Sequence, residues 1–295
     1  MLLSSRTFDY RELKGLDVME NFNELSLQSV QEFIANCELG QCEAPSITPH
    51  GAMSAALTMA VDGGNEGPQH LVEGAGSGAV VEGGLMVFTP GTSAEVRKEV
   101  LDCLLLATLV ANNAHDIETE NKDWFGAFNY VLLNLGWPVH DMGYRDYQSG
   151  GASLSMDKLI LEMLASAIAT AALPGAAGAK LLEVATQLIQ GFSSQPGPLK
   201  LFEQKSKSQQ GANFRVGTCH EAQDGEVYIT LATVNFRIKR NMTSVLGFRW
   251  SDGEAQIYGA NRGLVFNRRH YERVKGDVED KLGKGARANI AAFEI

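Results

Sequence analysis

Residues 159–192 form the stretch that most constrains how this chain can fold. They are rich in Ala, Leu and Ile and carry only three charged residues, Glu162, Lys180 and Glu183. Leu173, Pro174 and Gly175 interrupt the block, because proline lacks the N–H that a helix interior needs. The pattern predicts two helices that are apolar on more faces than a surface helix requires. Such a hairpin is either the core of a sizeable domain or a surface kept for lipid.

The segment after Pro198 favours the first of these two interpretations. Each arm of the apolar block spans about 15–17 residues, which is short for a bilayer crossing of ~20. After the boundary at residues 193–198 the hydrophobic period changes from helical to alternating, which predicts strands. These strands are expected at 199–205, 212–219, 226–240, 244–250, 254–260 and 286–294. A sheet is therefore available to cover the hairpin.

The fold class that follows is α+β, with apolar helices packed on a mainly antiparallel β-sheet. Residues 1–198 form a mainly helical half with a glycine-rich loop, and residues 199–295 form a β-rich half. We expect the two halves to fold as one unit, because the hairpin needs the sheet or a membrane to cover it.

The remaining pattern predicts four longer helices, one short helix and one early strand. The helices are expected at 26–37, 94–113, 122–135 and 268–282, and a short helix near 52–61 precedes a mobile glycine loop at 63–84. Residues 84–88 predict a buried strand. Thr92 and Glu95 fit a capping box at the start of the second helix, Gly136 ends the third, and Ser155 caps the hairpin.

Charge is unevenly distributed along the chain. The net charge of −10 divides into −15 for residues 1–198 and +5 for residues 199–295. The basic half favours an anionic surface such as lipid headgroups, although the two halves could simply attract each other. We expect no nucleic-acid partner, because the chain is acidic and has no recognised binding module.

The N-terminus has no long apolar run and contains Asp9, Glu12 and Asp17, so it is not a secretory signal. We expect synthesis in a bacterial cytoplasm, followed by membrane association or by release without a signal peptide. The spacing of histidines and cysteines contains no metal-binding signature, so no metal is expected.

Cys37, Cys42, Cys103 and Cys219 are the four cysteines, too few for a disulfide scaffold in a chain of this length. Cys103 lies on the apolar face of a predicted helix and is a small core residue. Cys219 ends an alternating run in which Phe214 and Val216 face one side and Gly217 and Cys219 the other. Gly217 leaves room beside the thiol, which is compatible with a modified cysteine or with an inert half-buried one. His220 could lower the pKa of the thiol only if a local bend brought it round.

Several segments together resemble the family of the Erwinia virulence factor Evf over residues 82–295. The resemblance lies in hydrophobic and aromatic spacing, and it is carried by residues 85–91, 99–107, Trp124, Leu132, 135–137, 244–250, Asn267, 271–275 and 281–283.

The resemblance implies a non-enzymatic protein of mixed α/β fold that promotes bacterial persistence in an insect gut. It also implies a fatty acid, palmitate-like, joined by a thioester to a cysteine of the sheet half. Cys219 is the only cysteine of that half, so it is the position that matches.

The resulting hypothesis is an S-acylated virulence or host-interaction factor that associates with membranes and has no catalytic residues. Its partners would be the acyl chain or membrane lipid, and a host factor. Burying an acyl chain contributes ~0.8 kcal/mol per CH₂, and an apolar tunnel could provide that burial. We expect the hairpin to line this tunnel through Leu164, Ile168, Leu181 and Leu188. Two alternatives stay open: a membrane-inserting toxin that uses residues 159–192, and a cysteine-dependent acyl-transfer enzyme.

Overall fold

The structure is a computed structural model. It describes residues 27–40, 77–138, 144–146, 153–171, 173–191, 196–238, 242–251, 254–287 and 290–294. The predicted α+β class is confirmed, since helices cover both faces of a mixed, mostly antiparallel sheet. The predicted helix at 52–61, most of the glycine loop and Cys42 lie outside the described residues.

The described helices are α1 (Leu27–Asn36), α2 (Ala94–Ala114), α3 (Asn121–Asn134), α4 (Met156–Thr170), α5 (Gly175–Gly191), α6 (Pro196–Ser206), α7 (Arg268–Tyr271) and α8 (Lys275–Arg287). The described strands are β1 (Ser77–Val81), β2 (Gly84–Phe88), β3 (Arg145–Asp146), β4 (Ser153–Ser155), β5 (Lys207–Ser208), β6 (Gly211–Glu221), β7 (Val227–Ile238), β8 (Arg249–Ser251), β9 (Ala255–Val265) and β10 (Ile290–Glu294).

The main sheet joins strands from both sides of Pro198. Its order is β10-β1-β2-β6-β7-β9-β3, with β5 paired to β6, and β4 and β8 form a separate two-stranded ribbon. β2 and β6 run parallel, and the other pairs of the main sheet are antiparallel. The long pair β6–β7 is regular over its whole length, from Gly211 opposite Arg237 to Glu221 opposite Val227. Side chains of β6 therefore alternate strictly between the two faces.

Each face of the sheet is covered by its own helical layer. On one side, which we call the hairpin face, Phe214, Val216 and Val234 pack in one cluster with α4, α5 and α6. On the other, the Cys219 face, Cys219, Ile229 and Leu231 pack with α1, α2, α3 and α8. Two apolar layers on one sheet give a three-layer architecture.

The apolar block at 159–192 is part of the core, as predicted from its short arms. α4 packs against β9 and β7, and α5 packs against β6, so the inner faces of both helices are buried. Their outer faces carry Lys158, Glu162, Lys180 and Glu183 in exposed positions, with Leu182 39% exposed between them. Among the described residues, no helix has both the length and the apolar composition needed to cross a membrane.

Most helix and strand predictions are confirmed with small shifts in their ends. Residues 94–113 form α2, residues 122–135 form α3, and the strand at 84–88 is β2. Gly136 adopts φ 92°, the left-handed conformation expected at a helix C-terminus. The long strand predictions at 212–219 and 226–240 correspond to β6 and β7.

The strand predicted at 199–205 is wrong, because those residues belong to helix α6. Pro196 is the first residue of that helix, where its missing N–H costs nothing since the first helical N–H groups have no partner in the helix. Phe202 anchors the helix in the hairpin-face cluster. Similarly, only Arg249 and Trp250 of the predicted 244–250 strand are extended, as part of β8, and residues 77–81 of the predicted loop form β1.

The capping box predicted for α2 is also wrong in its residues. Ser93, not Thr92, is the N-cap, and its hydroxyl accepts a hydrogen bond from the Val96 N–H at 3.3 Å. Thr92 instead directs its hydroxyl to the Thr89 hydroxyl at 3.2 Å, and Glu95 pairs with Lys275 at 2.8 Å. Ser155 does occupy the N-cap of α4, but its side chain makes no capping hydrogen bond.

Candidate functional site

Cys219 lies near the carboxyl end of β6, in the middle of the sheet. It is opposite Ile229 of β7 on one side and Phe88 of β2 on the other, and all three belong to the Cys219-face cluster. Its side chain is 0% exposed. The register confirms the alternation predicted from the sequence: Cys219 lies on one face of the sheet, and Phe214 and Val216 lie on the other.

Burial makes this thiol a weak nucleophile in the folded protein. Desolvation raises the pKa of the Cys219 thiol well above its usual range, and the charge of Glu221 raises it further. Arg97 acts in the opposite direction but does not offset them. A thiolate, the reactive form, is therefore scarce at neutral pH.

His220 does not form a dyad with Cys219. It points to the opposite face of the sheet, where its Nδ1 lies 2.8 Å from the Thr89 hydroxyl. No local bend brings the ring round, because the β6–β7 register stays regular through His220 and Tyr228. Burial lowers the pKa of His220, and the nearby Lys180 lowers it further. This arrangement argues against a Cys219–His220 enzyme.

The residues expected to line an acyl tunnel lie on the hairpin face. Leu164 and Leu188 belong to the cluster around Phe214, while Leu181 packs with Tyr228 and Ile168 lies beside them. Cys219 belongs to the cluster on the other side of the sheet. The sheet therefore separates the four predicted lining residues from the thiol, because hairpin and cysteine occupy different layers. An acyl chain on Cys219 would lie against α2 and α3 instead.

The carboxyl end of β2 is held by a network of paired polar groups. The Thr89 N–H donates to the Cys219 carbonyl at 2.9 Å, and the Ser93 N–H donates to Glu221 at 2.7 Å. Arg97, which is buried, donates to the Thr92 carbonyl at 2.9 Å. These contacts fix the β2–α2 connection beside Cys219.

A second charged cluster joins α2 to α7 and α8. Buried Glu99 accepts hydrogen bonds from Arg268 Nε at 2.7 Å and from Lys275 Nζ at 2.9 Å. Hydrogen bonding to Glu99 raises the pKa of Arg268. Glu95, Glu99 and Glu272 bring their oxygens within 4.8 Å of one another, the spacing of a cation site. Because Arg268 and Lys275 already neutralise these carboxylates, the cluster acts as a clamp between helices.

A small recess opens on the Cys219 face at the other end of β6. Its floor is formed by β6 and β7, where Asn213 is opposite Asn235 and Arg215 is opposite Thr233. Its walls are Trp124 and Phe125 of α3 and the ring of Tyr144. Arg215 is buried, with its guanidinium carbon 4.8 Å from the centre of the Trp124 ring. We call this site the Arg215 recess.

The Arg215 recess was not among the sites predicted from the sequence. A signal was available, because Asn213 and Arg215 lie on the same face of β6 as Cys219, and a charge on the inner face of a central strand needs a partner. The partners could not be found without the structure, since Trp124 and Phe128 are far away in sequence.

Comparisons with known proteins give distant structural similarity alone. No protein-family model and no curated protein matches the sequence significantly. A solved structure of the Evf virulence factor is similar at 10% sequence identity and a TM-score of 0.32, covering 68% of this chain and 82% of that chain. A similarity this distant carries no inference about function.

Proposed function

We propose that the protein is a non-enzymatic, S-acylated host-interaction factor, and that Cys219 carries the acyl chain as a thioester. The observation that carries the proposal is the position of Cys219, a 0% exposed thiol that belongs to the same apolar cluster as residues of α2 and α3. A thioester is uncharged, and its acyl chain gains ~0.8 kcal/mol for each buried CH₂. A buried apolar site is therefore the environment in which such a group is most stable.

The space for the chain would come from the Cys219 face, next to Gly217. A Cβ built on Gly217 would lie 2.9 Å from Met86 Cε, so Met86 fills the volume that the glycine leaves. Methionine is unbranched and adapts to irregular gaps, so it can move aside for an acyl chain. Displacement of Met86 would open space for the start of the chain beside Gly217, on the same face of the sheet as the thiol.

The burial and protonation of the Cys219 thiol determine when acylation would occur. The sulfur would attack the carbonyl carbon of an acyl thioester donor, form the new S–C bond and release the donor's thiol, which takes up the proton. In the folded protein the thiol is enclosed and protonated, because burial raises its pKa. Acylation is therefore expected before β6 closes against α2 and α3, or in an opened state.

Intact-protein mass spectrometry tests the thioester on protein purified from its producing bacterium. We expect an acyl adduct that hydroxylamine removes, since hydroxylamine cleaves thioesters. A Cys219→Ser protein should lack the adduct, and a Cys103→Ser protein should keep it. Cys103 is the matched control, because it is equally buried in the same cluster. An unmodified mass, or an adduct that survives either hydroxylamine or Cys219→Ser, would contradict the proposal.

Membrane association and a role in host interaction are the second part of the proposal. They rest on the sequence resemblance of residues 82–295 and on the +5 charge of residues 199–295. A chain buried inside the protein cannot anchor it, so membrane association requires the chain to leave the interior. One exposed acyl chain anchors a protein only marginally, so the basic half would supply the second signal. Flotation with anionic vesicles tests this: the acylated protein should float, and the Cys219→Ser protein should not. Equal flotation of both proteins would show that the chain stays inside the protein.

Insertion of the hairpin as a toxin finds no support in the contacts of α4 and α5. Both helices bury their apolar faces against β6, β7 and β9, so insertion would first expose that face of the sheet. Dye release from liposomes remains the direct test, and leakage would require this opening.

A further inference from the structure

The tip of the hairpin is held to the sheet by few buried side chains. We define the hairpin tip as residues 173–181, which end the connection between α4 and α5 and form the first turns of α5. Within it, only Ala177, Gly178 and Leu181 are buried. Ala177 and Leu181 pack with Tyr228 in a small cluster that is separate from the large hairpin-face cluster. The tip therefore rests on an apolar contact of its own.

The sequence of the tip makes its helical turns easy to open. Residues 175–180 read Gly-Ala-Ala-Gly-Ala-Lys, and glycine is less favourable than alanine in a helix interior. Gly178 is needed at its position, because a Cβ there would lie 2.8 Å from Ile168 Cγ2 of α4. Segments with few buried side chains are the ones that open locally in native proteins. Opening of the tip is therefore expected to cost less than unfolding of the hairpin.

A buried histidine lies on the strand beneath the tip. His220 is 5% exposed and is opposite Tyr228 in the β6–β7 register, so both side chains are on the hairpin face. Because Tyr228 belongs to the small cluster of the tip, His220 lies at the edge of that cluster. Its Nδ1 is 2.8 Å from the Thr89 hydroxyl, which is 3.2 Å from the Thr92 hydroxyl. Both threonines are buried, so the polar partners of the ring are neutral.

The surroundings of this ring act mainly against its protonation. Burial and then the charge of Lys180, which belongs to the tip, lower the pKa of the ring, and Glu221 opposes them. The carboxylate of Glu221 is directed to the other face of the sheet, where it accepts a hydrogen bond from the backbone at the start of α2. β7 presents the uncharged Tyr228 to the ring, and the carboxylates nearest to Tyr228 are those of the β6–β7 turn, Asp224 and Glu226.

Opening of the tip relieves both of the unfavourable effects. Once the first turns of α5 leave β6, water reaches the imidazole ring, and Lys180 moves away with the helix. The open state therefore binds the proton more tightly than the closed state, and by linkage a bound proton favours the open state. The closed tip is favoured above about pH 6.5, and it loses stability as the pH falls below that value.

We propose that the hairpin tip is an acid-opened flap, closed over His220 at neutral pH and released when that ring takes up a proton. Opening uncovers the apolar cluster around Tyr228, which is hidden at neutral pH. The remainder of α5 stays on the sheet, because Val184 and Leu188 belong to the large hairpin-face cluster. The flap does not depend on acylation of Cys219, which lies on the other face of the sheet.

Hydrogen exchange of the full-length protein at about pH 7.5 and about pH 5.5 tests the proposal. The amides of residues 178–182 report on the first turns of α5, since the Gly178 N–H, for example, donates to the Pro174 carbonyl at 3.0 Å. Their protection factors, which correct for the intrinsic pH dependence of exchange, should fall about threefold to tenfold at the lower pH. The amides of residues 185–189, farther along the same helix, should change less than about twofold.

Three variants assign the effect to His220. His220→Gln keeps a polar side chain that cannot be protonated, so protection at residues 178–182 should no longer depend on pH. Lys180→Gln should keep a smaller response, because the ring remains buried. His270→Gln is the matched control, since the ring of His270 is also hydrogen-bonded, with its Nε2 2.8 Å from the Asn134 carbonyl, but lies on α7. It should keep the full response.

Three results would overturn the proposal, and the first and third need no variant. The first is unchanged protection of residues 178–182 between the two pH values. The second is a fall in protection that persists in His220→Gln. The third is an equal fall at residues 185–189, which would mean that the whole helix loosens and that the tip is not a separate flap. Because all three are measured on protein without an acyl group, failure here does not affect the thioester proposal.

Discussion

The two faces of the sheet differ in how their buried polar groups are paired. On the hairpin face, buried polar groups are paired: Thr218 and Thr230 share a hydrogen bond of 2.6 Å, and His220 meets Thr89. On the Cys219 face, the Thr233 hydroxyl and the Asn235 side-chain oxygen are buried without partners among the described residues. The hairpin layer holds one such atom as well, the Ser206 hydroxyl of α6, whereas the Cys219 face holds two beside a recess, together with an enclosed thiol. Such groups reduce stability, so they are most easily explained by function, and function is expected on the Cys219 face.

A truncation inside the hairpin tests whether that face is a packed core in solution. Leu164→Ala is expected to lower the free energy of unfolding by about 3 kcal/mol, because Leu164 is fully buried against the sheet. Leu182→Ala on the outer side of the same hairpin should cost less than about 0.5 kcal/mol, since Leu182 is 39% exposed. Urea unfolding measures both. Equally small losses would mean that the hairpin leaves the sheet in solution.

Neutralising Glu99 in the charged clamp, on the Cys219 side of the sheet, should give the next largest loss of stability. Glu99→Gln removes the charge that Arg268 and Lys275 contact, and it should cost about 2 kcal/mol. We expect less than for a fully buried pair because both cations are partly exposed and screened by solvent.

Glu272→Gln is the matched control for this clamp. Glu272 lies 3.9 Å from Arg268 and 3.8 Å from Lys275 but is itself exposed, so the change should cost less than about 0.5 kcal/mol. Urea unfolding of the two variants side by side measures the difference. If Glu99→Gln were as stable as the parent protein, the clamp would contribute nothing to the stability of the Cys219 layer.

One substitution made on both faces compares them directly. Thr218→Val leaves the Thr230 hydroxyl buried without its partner and should cost about 1–2 kcal/mol, while the double change of Thr218 and Thr230 should be nearly neutral. Thr233→Val removes a hydroxyl that has no partner among the described residues, so it should be neutral or stabilising. Free energies of unfolding test the contrast. A loss in Thr233→Val as large as that in Thr218→Val would remove the difference between the faces.

Features that depend on local periodicity are predicted well from the sequence. Features that depend on contacts between distant residues are not. The alternation of β6 correctly predicted that Cys219 and Phe214 lie on different faces of the sheet, because side chains of a strand alternate with a period of two. The segment 199–205 is too short, and its polar and apolar residues too mixed, for periodicity to distinguish a strand from a helix. It forms a helix that packs on the sheet through Phe202, a tertiary contact that the local sequence does not show. The side of the sheet that the hairpin covers was not predictable, since it depends on how the chain crosses between layers. The Arg215 recess likewise needs the β6–β7 register and α3 together.

The smallest expected effect is a pH dependence that belongs to the hairpin face. Burial, and then the charge of Lys180, lower the pKa of His220 in the folded protein, with Glu221 opposing them. The unfolded chain, with an ordinary pKa near ~6.5, therefore takes up this proton at a higher pH than the folded chain does. The contribution of His220 to stability is present above about pH 6.5 and is lost as the pH falls below it. Urea midpoints between about pH 8 and pH 5.5 should decline less steeply in His220→Gln than in the parent protein. Identical slopes would show that the ring is not enclosed, and the hairpin face would then lose one of the paired polar groups that distinguish it from the Cys219 face.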